Sequence, residues 1–180
     1  ENWCVYHTSI ANTKALILNT NTTELTDSKF WNDTSATSSV FTVGNGTEVN
    51  GSSDNMIAYL FANKQGAVKC GSYTGNGNAD GTFVFCGLRP AFILLKNTTT
   101  SSRDWMMYDN KRQGYNGANN YIVTNTNGAD QTGIEIDILS NGFKARSSAT
   151  GLNASGVTHV FMAFAEQPFV NSKGVPCNAR

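Results

Sequence analysis

Hydrophobic and polar positions alternate with a period of two in most readable segments of the chain, which predicts half-buried β-strands rather than helices. In Gly133-Ile134-Glu135-Ile136-Asp137-Ile138 the isoleucines fall on one face and the two carboxylates on the other. Ser140-Asn141-Gly142 then leads into Phe143-Lys144-Ala145-Arg146. Because Asn-Gly accepts positive φ, this predicts a hairpin closed by a type I′ turn. Phe83-Val84-Phe85-Cys86 and the run from Phe92 to Lys96 predict successive strands, broken at Leu88-Arg89-Pro90 because proline cannot donate to a central ladder. Met56 to Ala62 and Val157 to Glu166 predict two more strands, and the intervening stretches are Gly/Asn/Ser/Thr loops. No window carries a capped amphipathic helix of useful length.

The pattern also repeats, at a spacing of about one hundred residues. Trp3-Cys4-Val5-Tyr6 is echoed by Trp105-Met106-Met107-Tyr108, and Phe41 by Phe143 at the same distance from its tryptophan. Val49-Asn50-Gly51-Ser52 answers to Leu152-Asn153-Ala154-Ser155, and Phe61-Ala62 to Phe164-Ala165. This predicts an all-β sandwich built from two tandem related repeats about a pseudo-twofold axis. Residues 1–66 form a first repeat lacking its leading strands, 67–104 a connecting hairpin and the leading strand of the second repeat, and 105–180 the second repeat with a C-terminal tail. Trp3 and Trp105, kept in both copies, are assigned to the core. The second copy is led in by the apolar stretch from Phe83 to Lys96 and the first by nothing, so the favoured expectation is that the chain is the C-terminal part of a longer polypeptide.

Composition narrows the functions. Charged residues make up 14% and sum to a net charge of zero, so no field draws nucleic acid or an anionic membrane to the chain. The longest apolar run, Ala91 to Leu95, falls far short of the ~20 residues of a membrane span. Neither nucleic acid nor membrane insertion is expected. Asn, Thr, Ser and Gly dominate the remainder and make a hydrated surface with little electrostatic selectivity. Cys4, Cys70, Cys86 and Cys177 show no metal spacing. Cys70 and Cys86 flank a Gly/Asn-rich loop across which they could pair, while the plainer reading is small buried thiols. No cofactor is expected.

Candidate chemistry is sparse. Asn76-Gly77-Asn78-Ala79-Asp80-Gly81 resembles the first half of a calcium loop, with Asn76, Asn78 and Asp80 as ligands, but Gly87 stands where the bidentate acid belongs. A Gly/Asn turn is the plainer reading. His159 lies in a predicted strand beside Val157, Phe161 and Ala163, where a satisfied core histidine is the default; His7 has Asp109 as its counterpart. Glu135 and Asp137 share a strand face, a pattern that the polar face of an exposed sheet explains better than a glycosidase pair does. Aromatics in polar loops suit stacking and adaptable hydrogen bonding, so Trp31, Tyr73, Lys111, Arg112, Tyr115 and Asn116 are the candidate ligand contacts. Six Asn-X-Ser/Thr triplets, at Asn21, Asn32, Asn45, Asn50, Asn97 and Asn153, follow from composition and indicate glycosylation only in a eukaryotic secreted protein.

Several strings together carry a resemblance. Gly71-Ser72-Tyr73-Thr74-Gly75-Asn76-Gly77, the run from Gly87 to Lys96, Trp105 with Tyr108-Asp109 and Lys111-Arg112, the run from Leu139 to Lys144, and Val160 to Glu166 resemble an uncharacterised β-rich domain of large virion and tail-fibre-like proteins of marine and other environmental bacteriophages. In that family the domain commonly follows a concanavalin-A-like jelly-roll, and Cys70, Cys86 and Cys177 depart from the usual residues. The resemblance implies a non-enzymatic structural protein on the virion surface, part of a tail fibre or similar appendage. It would self-associate as a homo-oligomer, a trimer among the options, touch neighbouring virion proteins, and contact host surface glycans or proteins. A capsid decoration or head-fibre protein with a cementing role is the alternative. A glycan depolymerase using Glu135/Asp137 or Asp104/Asp109 ranks last.

Overall fold

The computed structural model describes residues 2–112, 116, 119–133 and 135–173. In order these form β1 (Cys4–Val5), β2 (Lys14–Ile17), β3 (Leu25–Thr26), α1 (Ser28–Trp31), α2 (Thr47–Asn50), β4 (Val68–Thr74), β5 (Phe83–Phe85), β6 (Pro90–Asn97), β7 (Trp105–Asp109), β8 (Asn119–Val123), β9 (Gln131–Gly133), β10 (Ile136–Leu139), β11 (Gly142–Ala145), α3 (Thr150–Asn153) and β12 (Thr158–Ala165). The fold is all-β, and every ladder is antiparallel.

A six-stranded sheet, β4-β12-β6-β7-β8-β9, forms the centre. Its inner strands are apolar on both sides because both faces are covered. Ile93 and Leu95 of β6, Met106 and Tyr108 of β7, and Phe161 and Ala163 of β12 point to one face. There they meet Val84, Ile136, Ile138, Phe143 and Ala145 of the small sheet β10-β11-β5. Trp105 and Val160, one residue out of phase, point to the other face and pack on Leu16 of the sheet β1-β2-β3, with Val5, Ile10, Leu18 and Leu94 around them. The Trp105 indole N–H donates to the Ile17 carbonyl at 2.8 Å, fixing the amino-terminal sheet to the centre.

The predicted hairpin forms, but its turn lies one residue earlier than the Asn-Gly pair suggests. Leu139 pairs with Gly142, so Ser140 and Asn141 make the loop, and Gly142 is the first residue of β11. Gly142 is required there for a different reason: it lies opposite Phe85, and a Cβ would collide with the Val84 carbonyl oxygen. Pro90 opens β6 rather than preceding it, at the register shift opposite Ala165, where a missing N–H does least harm. The helical segments are single turns of four residues. Asp27 caps α1 through the Lys29 amide at 2.9 Å.

The amino-terminal and carboxyl-terminal halves share local bonding. Trp3 N–H donates to Asn19 Oδ1 at 2.8 Å, and Trp105 N–H to Asn125 Oδ1 at 2.8 Å. Leu18 N–H reaches the Trp3 carbonyl, and Thr124 N–H the Trp105 carbonyl, at 2.9 and 3.0 Å. Gly44 N–H bonds Phe30 O, and Arg146 N–H bonds Glu135 O, each at 2.7 Å. Lys14↔Thr26 and Ala15↔Leu25 have the register of Asn120↔Thr132 and Tyr121↔Gln131. Asn50 Nδ2 donates to Gly44 O at 3.1 Å and Asn153 Nδ2 to Ser147 O at 3.0 Å, each at the end of a one-turn helix.

Packing divides what bonding unites. Trp105 is buried, whereas Trp3, expected in the core, is 56% exposed because β1 is an edge strand with no strand paired to its other side among the described residues. Phe143 is buried and Phe41 exposed. Val157 to Glu166 contains the central strand β12, but Met56 to Ala62, expected to match it, pairs with nothing among the described residues and is exposed throughout.

Candidate functional site

The residues singled out for ligand contact are largely drawn into the framework. Trp31 is buried; its indole donates to Lys14 O at 3.0 Å and meets Tyr6 edge-on at 5.6 Å. Tyr73 of β4 is buried in the core, its hydroxyl donating to Leu152 O at 2.6 Å and its ring stacked on His159 at 5.0 Å. Neither ring offers an open face for stacking a ligand. Arg112 lies between Asp109 (2.7 Å) and Asp130 (2.6 Å), and Asp109 Oδ1 also accepts the amides of Lys111 and Arg112. Asn116 copies a strand's bonding by receiving the Ile138 amide and donating to its carbonyl. Lys111 is exposed, and Tyr115 lies outside the described residues.

The Asn76, Asn78 and Asp80 loop is satisfied by the protein itself. Asn76 Oδ1 accepts from the Asn78 amide and from Asn153 Nδ2, Asn78 Oδ1 accepts from the Asp80 amide, and the Asp80 carboxylate pairs with Lys144 at 2.5 Å. That lysine holds the Asp80 carboxyl below its usual range. Asn153, fully buried, also donates to Asn78 O and Ser147 O and accepts from the Asn76 amide. The turn reading therefore accounts for every oxygen named for calcium. Among the described residues no group of three or more His, Cys, Asp or Glu side chains converges as a metal site.

The remaining titratable groups also have structural neighbours. His159 is buried with Nδ1 3.0 Å from Val157 O, and His7 Nε2 lies 3.3 Å from Phe161 O. Burial lowers the pKa of both rings. Lys96 is fully buried, donating to Asn97 O and Arg103 O at 2.8 Å each; burial lowers its pKa to about 8 against the opposing pull of Asp104. Asp137 pairs with Arg146 at 3.4 Å and Asp104 accepts from Asn125 Nδ2 at 2.8 Å. Cys4, Cys70 and Cys86 are free thiols, with burial pushing Cys86 up to about 12; Cys177 lies outside the described residues. Asn97 and Asn153 are buried, so two of the six glycosylation triplets are closed to modification in the folded chain.

What the surface does offer is apolar and aromatic, in a segment whose pattern predicts a strand. Ile57, Leu60, Tyr59, Phe61 and Met56 are exposed by 79, 71, 65, 50 and 47%. Tyr59 stacks on Trp3 at 6.2 Å and Phe61 meets Phe164 edge-on at 5.6 Å, so the segment lies between the β1 edge and the central sheet. Clefts lie elsewhere on the described surface. One, about 200 Å³, is lined by Ser9, Lys14, Glu24, Thr98, Thr99 and Thr158, with Lys14 and Glu24 ion-paired. The other, about 360 Å³, is lined by Asp27, Lys29, Phe30, Asn45, Thr47 and Glu48. The hydroxyls of both clefts, and the Lys14–Glu24 pair of the first, suit neutral, hydrogen-bonding groups.

No helix among the described residues is long and apolar enough to cross a membrane. No curated protein and no solved structure matches the chain. The model of one family, described as a domain of unknown function (DUF7483), matches residues 1–168. That match takes in all but the last few residues, and the chain belongs to the DUF7483 family.

Proposed function

We propose that the chain is a non-enzymatic structural module of a bacteriophage particle, part of a tail fibre or similar surface appendage, that associates through its apolar surface and presents neutral polar loops to host glycans or proteins. The observation that carries this reading is the exposed strip of Met56, Ile57, Tyr59, Leu60 and Phe61 beside Trp3. An apolar strip of this kind on a neutral, Asn/Thr/Ser-rich domain is a contact surface for another polypeptide. Resemblance to virion-surface domains supplies the particle. Weak neutral contacts, multiplied by copy number, suit glycan recognition. Against a depolymerase stand the partners already held by its candidate carboxylates, Asp137 on Arg146, Asp104 on Asn125 and Asp109 on Arg112.

The same strip favours the second reading, a cementing protein of the capsid, because burial between subunits needs no host ligand. Gold-labelled antibody against the chain, applied to intact particles under the electron microscope, tests both. Label on fibres or other appendages is the expected result. Label confined to the capsid lattice would transfer the proposal to cementing, and unlabelled particles would overturn the virion assignment.

A further inference from the structure

Asparagine is followed directly by glycine at six places, Asn45, Asn50, Asn76, Asn116, Asn127 and Asn141. The pair is reactive by itself. Glycine has no side chain to block the approach of its own amide nitrogen to the preceding carboxamide carbon, so the two can close to a cyclic imide. Two conditions open that reaction in a folded chain. The carboxamide must be free to turn toward the main chain, and the glycine N–H must be free to lose its proton, which a carbonyl acceptor opposes by stabilising the protonated amide.

The fold withholds one or both conditions at most of these pairs. Gly46, next to Asn45, is buried and its amide donates to Lys29 O at 2.9 Å. The Asn76 carboxamide is held by Asn78, Asn153 and Asp80, and the Gly77 amide donates to Asn153 O at 2.8 Å. Gly142, next to Asn141, is buried in β11 between β10 and β5. Asn50 Nδ2 is tied to Gly44 O at 3.1 Å. Asn116 is held through both polar groups of its carboxamide by Ile138, and Gly117 lies outside the described residues. Asn127 differs on both counts. It is exposed and its side chain has no hydrogen-bond partner among the described residues. Gly128 is exposed too, its amide 3.5 Å from Thr126 Oγ1, at the outer limit of a hydrogen bond.

We propose that the fold leaves Asn127 as the site of spontaneous deamidation, so that the loop between β8 and β9 acquires a carboxylate as the chain ages. The deprotonated Gly128 nitrogen bonds to Asn127 Cγ, the Cγ–Nδ2 bond breaks, and ammonia leaves with the proton. Water then adds to either imide carbonyl and reopens the ring as aspartate or isoaspartate. One added negative charge takes the net charge from zero to −1. It joins Asp130 in the same loop, and Arg112 there is already engaged by Asp109 and Asp130. The isoaspartate form also lengthens the main chain leading into the edge strand β9. This chemistry is intrinsic to the chain and independent of where the chain resides.

The test incubates the whole folded chain at mildly alkaline pH beside the same chain in concentrated urea, with digestion under mildly acidic conditions and mass mapping of the peptides. In the folded chain, acid at Asn127 should accumulate at least about tenfold faster than at Asn45, Asn50, Asn76 or Asn141, and in urea that spread should collapse. An acidic band on isoelectric focusing should grow in step with the Asn127 product. Gly128→Ala places a Cβ that meets only Thr126 Oγ1, at 3.6 Å, so the variant should fold like the parent and convert at least about tenfold more slowly. Conversion of Asn127 no faster than the other sites in the folded chain, a spread that persists unchanged in urea, or undiminished conversion in Gly128→Ala would each overturn the proposal.

Discussion

Trp3 and Trp105 make the same main-chain bonds at the head of the same kind of hairpin, yet one is half in water and the other is sealed in the core. The difference lies beyond each strand. β7 has β6 at its side and the amino-terminal sheet against its outer face, while β1 has β2 on one side and no paired strand on the other among the described residues. Local hydrogen bonds are thus set by short segments of sequence, whereas burial is set by which other strands are present. The same lesson holds for β12 and Met56–Ala62, whose sequences end alike in Phe-Ala and whose surroundings differ completely.

Truncation of matched positions should break the comparison most sharply. Leu95→Ala removes a side chain with no exposed surface and should destabilise by about 2–5 kcal/mol, read from urea unfolding, whereas Leu60→Ala at an exposed site should change stability by less than about 0.5 kcal/mol. A large loss at Leu60 would mean that the amino-terminal strand is covered after all. The paired asparagines come next. Asn153→Ala abandons buried partners in the 76–80 loop and should cost about 2–4 kcal/mol; Asn50→Ala, exposed and with one side-chain bond, should cost about 1 kcal/mol or less.

Proton linkage offers a gentler probe. His159 and His7 have folded pKa values below the ordinary 6.5, so the unfolded chain takes up protons first as pH falls. Their contribution is whole above that unfolded value and is lost as pH drops from there through the folded values. Unfolding midpoints should therefore fall between pH 7 and 5, and His159→Gln should flatten part of the slope. Lys96, depressed to about 8, makes stability rise with pH from there toward 10.5. Lys96→Met should remove that rise. The smallest effect concerns light rather than stability. Acrylamide should quench Trp3 readily and Trp105 poorly, and Trp3→Phe should remove most of the quenchable emission.

How much of this was legible in the sequence follows the same division. Period-two alternation gave the all-β class and the β10–β11 hairpin, where Ile136 and Ile138 point inward, while β5, β6 and β12 were legible as short apolar runs bounded by Gly, Pro and polar residues. The turn register was missed because Gly142 serves a close approach by β5 rather than a positive φ, a tertiary demand that no dipeptide rule contains. One-turn helices escaped because four residues are too few to show a helical period. Trp31 and Tyr73 read as loop aromatics because their neighbours are polar, yet Lys14 O and Leu152 O, distant in sequence, draw them inward. Asn153 was legible as a match to Asn50 and as a glycosylation triplet, but not as a buried hub, because its partners Asn76 and Asn78 are distant in sequence.

Hydrogen exchange resolved along the chain tests the central claim, that Met56–Ala62 is uncovered where β12 is buried, most directly. The account predicts that amides of Met56–Ala62 exchange at nearly the unstructured rate while those of Thr158–Ala165 are protected by several orders of magnitude. Comparable protection of both segments in the isolated chain would contradict it.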